Sequence, residues 1–194
     1  MNHAPRYALA ALGLLALAAC REELAELPAA VAMTGDSVGH FCQMGLLEHP
    51  GPKGQLHLAG LPDPLFFSQV RDAIAYQRMP EQSRMIVAIH VSDMGAAGAV
   101  WDDPGAGNYI AAESAHYVVG ATVAGGMGAP ELVPFADPDR AMAFAAEHGG
   151  DVLRLADIPD AAVLSPVELE GGIDAGEDAD FLDRLRTFQE KQES

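Results

Sequence analysis

The chain has two cysteines, Cys20 and Cys42, among its 194 residues. A structural zinc site wants four ligands and usually several thiolates, so that class of fold is excluded. Basic residues are also scarce: 11 Lys and Arg stand against 28 Asp and Glu, for a net charge of −17. That balance argues against a nucleic-acid-binding face and for a soluble protein that handles cations or meets a basic partner. A convincing membrane-spanning run is lacking too. The apolar stretch "YALAALGLLALAAC", which follows Arg6 and ends at Cys20, is too short and too weakly flanked for a transmembrane helix.

What the N-terminus does contain is small residues before a cysteine, "LAAC" at 17–20. This pattern reads as a lipoprotein signal, with residues 1–19 removed and Cys20 carrying lipid. Arg21 follows, rather than Asp, which resembles an outer-membrane sorting signal. A lipidated Cys20 cannot form a disulfide, so Cys42 becomes the sole free thiol of an exported protein. Export favours disulfides, and an unpaired cysteine there is either buried and inert or functional.

The hydrophobic fraction of 49% is enough for one packed domain or two very small ones. Residues 20–35 read as a flexible tether, and 165–194 as an acidic tail. Between them two halves share a ββαβ-type order, 36–97 and 114–164, joined by a Gly- and Ala-rich connecting loop at 98–113. In the first half, "GQLHLAG" (54–60) alternates as a strand should, and "RMIVAIHVSDM" (84–94) suits a buried strand. Between them "PLFFSQVRDAIAYQRM" (64–79) has Phe66, Phe67, Val70, Ala73 and Ile74 at helical spacing, with Pro80 as a stop. The first strand of this half is the least clear. In the second half, "AHYVVGATV" (115–123), "PELVPFAD" (130–137) and "DVLRLADI" (151–158) read as strands. The helix over 137–150 has Asp137 as N-cap, Pro138 at its first position and Gly149 as its stop. Met44-Gly45 and Met127-Gly128 each precede a strand-helix-strand run, which suggests internal duplication. The expected class is α+β: two related ββαβ-type units, lipid-anchored through the N-terminal tether.

Cys42 stands in "GHFCQMGLLEHPGPKGQ". In an extended chain His40, Cys42 and Met44 project to one side. Thiolate, thioether and imidazole make a soft set, and its thiolate and thioether select Cu(I) over hard cations. The competing readings are a buried small hydrophobe beside a core-filling methionine, and a catalytic cysteine using His40, His49, His57, His90 or His116 as base. Met127, between Gly126 and Gly128, is either a turn residue folded onto the core or a third soft ligand from the second half. His57 and His90 lie in strand candidates and read as structural, and His148 fits a helix C-terminus. His49 and His116 are open. Trp101 reads as packing, and Asp102 and Asp103 as a solvated turn.

The segments "GHFCQMGLLEHPGPKGQLHL", "FFSQVRDAIAY" and "GGMGAPELVPFAD…AFAAEHGGDVLRLADI", behind the lipid-attachment pattern, together resemble the NosL family across most of 38–158. The resemblance implies a periplasmic Cu(I)-binding metallochaperone, lipid-anchored at Cys20 and held at the outer membrane. It would supply copper for the centres of nitrous oxide reductase during denitrification. It implies Cys42 and Met44 as the Cys-x-Met ligands and Met127 as a further sulfur, with His40 the least certain. The implied partners are the reductase and the membrane transporter complex of its maturation system. The chain is then not an enzyme, binds no nucleic acid, and meets the membrane only through its anchor, as a monomer. The alternatives to set beside this are an exported thiol enzyme with Cys42 as nucleophile, and a lipid-anchored structural protein without metal.

Overall fold

Residues 27–167 and Arg184 are described in the computed structural model. The first sheet is antiparallel, in the order β2-β1-β3-β4, with β1 Gly54–Leu58, β2 Leu65–Phe67, β3 Ile86–Ser92 and β4 Tyr109–Ala111. The second is antiparallel in the order β6-β5-β7, with β5 His116–Val119, β6 Val133–Phe135 and β7 Asp151–Arg154. Helix α1, Val70–Arg78, follows β2; α2, Pro138–His148, follows β6; a short α3, Asp160–Leu164, comes last. The α+β class and the repeated β-β-α-β order are thus present.

The first half departs from expectation at Phe66 and Phe67. They do not belong to the helix: Gln55 pairs with Phe66 and Gly54 with Phe67 on β2, and the helix begins at Val70. Neighbouring aromatics fit a helical spacing and a strand edge alike, and pairing with β1 decides it. The strand expected at 54–60 is well formed over 54–58, because β1 pairs with β2 on one side and β3 on the other. Helix α2 matches its reading closely: Asp137 Oδ1 accepts from Asp139 N at 2.9 Å, and Gly149 ends it with φ of 76°.

The paired Met-Gly steps are not topologically equivalent. Met44-Gly45 precedes β1, whereas Met127-Gly128 lies between β5 and β6. The end of the expected tether is also tied down. Val31 exchanges two hydrogen bonds with the Gln55 amide, and Met33, which is buried, donates its N–H to Ala106 O. Residues 20–26, and all of the tail beyond 167 except Arg184, lie outside the described residues.

The two units share a core. Val70 and Ile74 of α1 and Val91 of β3 pack with Tyr117 of β5, Leu132, Ile158 and Val163. The second sheet is apolar on both faces because both are covered. Tyr117 faces this shared core, while Val118 joins Val133, Phe135 and Ala141 beneath α2. Arg71 donates to Ala162 O and Ser165 O, and Arg78 to Leu155 O and Ile158 O, so α1 holds the end of the second unit.

Two buried ionisable side chains sit where the units meet. Lys53 donates its ammonium to the carbonyls of His49, Pro50 and Gly51 at 2.6–2.9 Å. Glu131 Oε1 accepts from the N–H groups of Arg71 and Leu132, while Oε2 is buried without a partner. Burial pushes the Glu131 carboxyl up to about 8, against the opposing pull of those two N–H groups. Burial also pushes Lys53 down to about 8, with Glu131 opposing.

The sign of the pH effect follows. An unfolded glutamate titrates near ~4.3, so between that pH and about 8 the folded chain keeps a proton that the unfolded chain has lost. Stability therefore falls as pH rises through this window, by at most about 1.4 kcal/mol per pH unit from this group. Above about 8 the folded chain releases the Lys53 proton first, and stability recovers until the unfolded lysine titrates near ~10.4. In urea titrations at a series of pH values, Glu131→Gln flattens the fall below pH 8. An undiminished fall in this variant contradicts the assignment.

Candidate metal centre

The loop carrying Cys42 is not extended. Gly39 N donates to Met44 O and Gln43 N to Gly39 O, closing residues 39–44 into a tight turn whose stem is the Val38–Gly45 bridge. Gln43 holds the left-handed conformation at φ 56°, alone among the described non-glycine residues. Its amide nitrogen donates to His40 O at 2.7 Å, a bond that offsets the strain of that conformation. The expectation that His40, Cys42 and Met44 share one face of a strand therefore fails: a turn and a left-handed residue separate them. Cys42 is partly exposed and unpaired, and Met44 is 41% exposed.

His40 is occupied by packing. Its ring lies 5.3–5.6 Å from the rings of Phe41, Phe67 and Tyr76, and the His40 backbone N–H donates to Phe66 O. The aromatic group seats the turn on β2 and α1.

The second-half loop reaches the same place. Ala124 bridges to Pro130, and between them Gly125-Gly126-Met127-Gly128 lies against residues 68–69 and 49–50. Met127 N donates to Gln69 Oε1 at 3.0 Å. Gly126 O faces His49 Nδ1 at 3.1 Å, so Nδ1 carries the proton. The glycines permit this approach: a Cβ at Gly125 would lie 2.5 Å from Gln69 Oε1, and one at Gly126 2.7 Å from His49 Cβ. Met127 itself is 39% exposed and not folded into the core.

Ser68 and Gln69, between β2 and α1, touch both loops. Ser68 Oγ lies 3.8 Å from Cys42 Sγ, and a Cβ at Gly126 would lie 3.2 Å from Ser68 O. Gln69 occupies the N-cap of α1 but makes no side-chain cap; its amide bonds Met127 N and Asp72 Oδ2 instead. Burial raises the Asp72 carboxyl, with the Gln69 bond and Arg71 opposing. Cys42, Met44 and Met127 thus occupy loops that converge on one dipeptide from sequence positions more than 80 apart.

Sequence reasoning passed over Ser68, Gln69 and the His49 contact. The one available signal was Gln69, a weak N-cap where Ser, Thr, Asp or Asn is favoured. The other candidates have local roles. His116 sits beside the Arg154 guanidinium, His148 stacks on Phe144 at 4.3 Å, and Trp101 covers Gly51. Asp103 closes a turn by accepting from Gly105 N. Among the described residues no three His, Cys, Asp or Glu side chains gather as for a hard-metal or zinc site, and no helix is long and apolar enough to cross a membrane. Cys20 lies outside the described residues.

The comparisons agree with one another. The copper-binding lipoprotein NosL of Achromobacter cycloclastes is 58% identical over 183 residues, 94% of each chain. The protein of the same name from Stutzerimonas stutzeri is 34% identical over 167 residues, 84% of this chain and 85% of that one. The crystal structure of the copper chaperone NosL from Shewanella denitrificans superposes with a TM-score of 0.63 at 30% identity, covering 68% of this chain and 96% of that one. With the NosL family profile matching residues 30–163, the chain belongs to the NosL family.

Proposed function

We propose that this protein carries Cu(I), held by Cys42, Met44 and Met127, and hands it on for assembly of the copper centres of nitrous oxide reductase. The observation that carries the reading is the convergence of the two sulfur-bearing loops on Ser68-Gln69. The copper-binding names of the relatives support the metal, and the soft character of thiolate and thioether supports its monovalent state. A half-exposed set of this kind suits transfer, because an incoming ligand can bind before an old one leaves.

Val38, Phe41, Met44, Leu47 and Met127, each at least 39% exposed, put apolar surface on and around the two sulfur loops. This surface fits docking to the reductase or to the membrane transporter complex of its maturation, with the acidic balance of the chain steering it to basic faces. Lipid at Cys20 would hold the monomer in the periplasm at the outer membrane. His40 is a fourth candidate ligand, although its aromatic packing gives it another role. The thiol-enzyme reading gains nothing from the geometry: the hydrogen-bond contact of Cys42 Sγ is the Ser68 hydroxyl, which is not a base.

In anaerobic Cu(I) competition titrations of the full chain in detergent, Cys42→Ser, Met44→Ile and Met127→Ile should each weaken binding. Unchanged tight binding in Cys42→Ser would sink the reading; normal binding in Met127→Ile alone would remove only the ligand from the second half. Because the thiol gives up its proton to solvent when its thiolate binds the metal, native affinity should fall with acidification by up to about tenfold per pH unit, and Cys42→Ser should lose that dependence.

Gln69→Leu keeps the side-chain volume and removes the bond to Met127 N. It should weaken Cu(I) by about 10–100-fold, as outer-shell changes do. Combined with Met127→Ile it should add little further loss. Full additivity in that double-mutant cycle would show that Gln69 does not act through the Met127 loop.

A further inference from the structure

The face of the first sheet turned away from α1 holds a polar cluster that the copper reading does not use. Gln55 and His57 stand two residues apart on β1, and His90 on β3 is registered opposite Gln55. Gln55 is fully buried and His57 is 8% exposed. The rings of His57 and His90 meet edge to face, with centroids 5.4 Å apart.

The hydrogen bonds fix the imidazole tautomer. Gln55 Nε2 donates to Val31 O and Gln55 Oε1 accepts from Val31 N, both at 2.9 Å, so the amide orientation is set. His57 Nε2 lies 3.1 Å from that same oxygen and must therefore carry its proton. The lone pair of the neutral ring is then on Nδ1. His90 Nδ1 is buried with no hydrogen-bond partner. Burial lowers the pKa of His57, and burial together with His57 lowers that of His90, which favours the neutral form of both rings.

Edge-to-face packing explains the ring separation but leaves His90 Nδ1 unsatisfied. A cation shared with His57 would satisfy it. Neutral imidazole whose second nitrogen donates to a fixed oxygen is the usual arrangement of a metal-ligating histidine.

We propose that His57 and His90 form a binding site for a borderline divalent cation of the zinc or Cu(II) class, with Gln55 as its outer-shell positioning residue. The set contains no sulfur, so it lacks the thiolate and thioether that favour Cu(I) at the Cys42 centre, and imidazole suits zinc and Cu(II). Two protein nitrogens leave the remaining positions to water or a small anion. The buried Tyr109 hydroxyl lies beside Gln55, on the strand next to His90. Since Gln55 also holds Val31, loading the site would brace the segment that leads towards the N-terminus.

The test is a titration of the full chain carrying Cys42→Ser with Zn²⁺, followed by long-range proton–nitrogen spectra of its seven histidines. The proposal expects the Nδ1 signals of His57 and His90 to move together and saturate at one equivalent. Gln55→Leu should then lower zinc affinity by about 10–100-fold. Static His57 and His90 signals through several equivalents overturn the proposal. So do shifts confined to His3, His40, His49, His116 or His148, which would mean adventitious binding elsewhere. The primary measurement alters no residue of the cluster, so a misfolded Gln55 variant does not rescue or defeat it.

Discussion

The Ser68-Gln69 junction is the constraint on which the sulfur centre depends. It is the point where β2 becomes α1, so its position is set by sheet pairing on one side and helix packing on the other. From there Ser68 meets the Cys42 sulfur, and Gln69 takes the amide of Met127. The sulfur side chains themselves are little packed, since Met44 and Met127 are both substantially exposed. Their approach is instead dictated by polar contacts to a buried junction. This arrangement allows the sulfurs to be open to solvent while the backbone behind them is held.

The same junction explains why the two units form one body. A single core runs from Val70 and Ile74 through Tyr117 and Leu132 to Val163. Lys53 and Glu131 are buried at its edge, one gathering the carbonyls of 49–51, the other joining the start of α1 to β6's approach. Buried ionisable groups are a costly way to hold a fold. Here they satisfy backbone groups that the irregular loops around the centre leave without sheet or helix partners.

Much of the fold was legible because it follows period and punctuation. Helix α2 carries its own start and stop in Asp137, Pro138 and Gly149, and β3 is a run of apolar and β-branched residues. Strand β2 was illegible, because Phe66 and Phe67 satisfy a helical face as readily as a strand and only their pairing with β1 distinguishes the two. At the site, the identity of the sulfur residues could be read from their types, but not their geometry. The turn at 39–44 is closed by main-chain bonds and by a glutamine at positive φ, for which sequence gives no rule. Gln69 was missed for a related reason: its partner is a backbone amide 58 positions away, and no local pattern reports such a contact.

The central claim is that sulfurs from both halves meet on one ion. X-ray absorption at the copper edge, on the Cu(I)-loaded chain and on its Met127→Ile variant, tests it most directly. The account predicts a sulfur shell that loses about one scatterer in the variant, with the Cys42 and Met44 contributions retained. A sulfur shell identical in the two samples would contradict it.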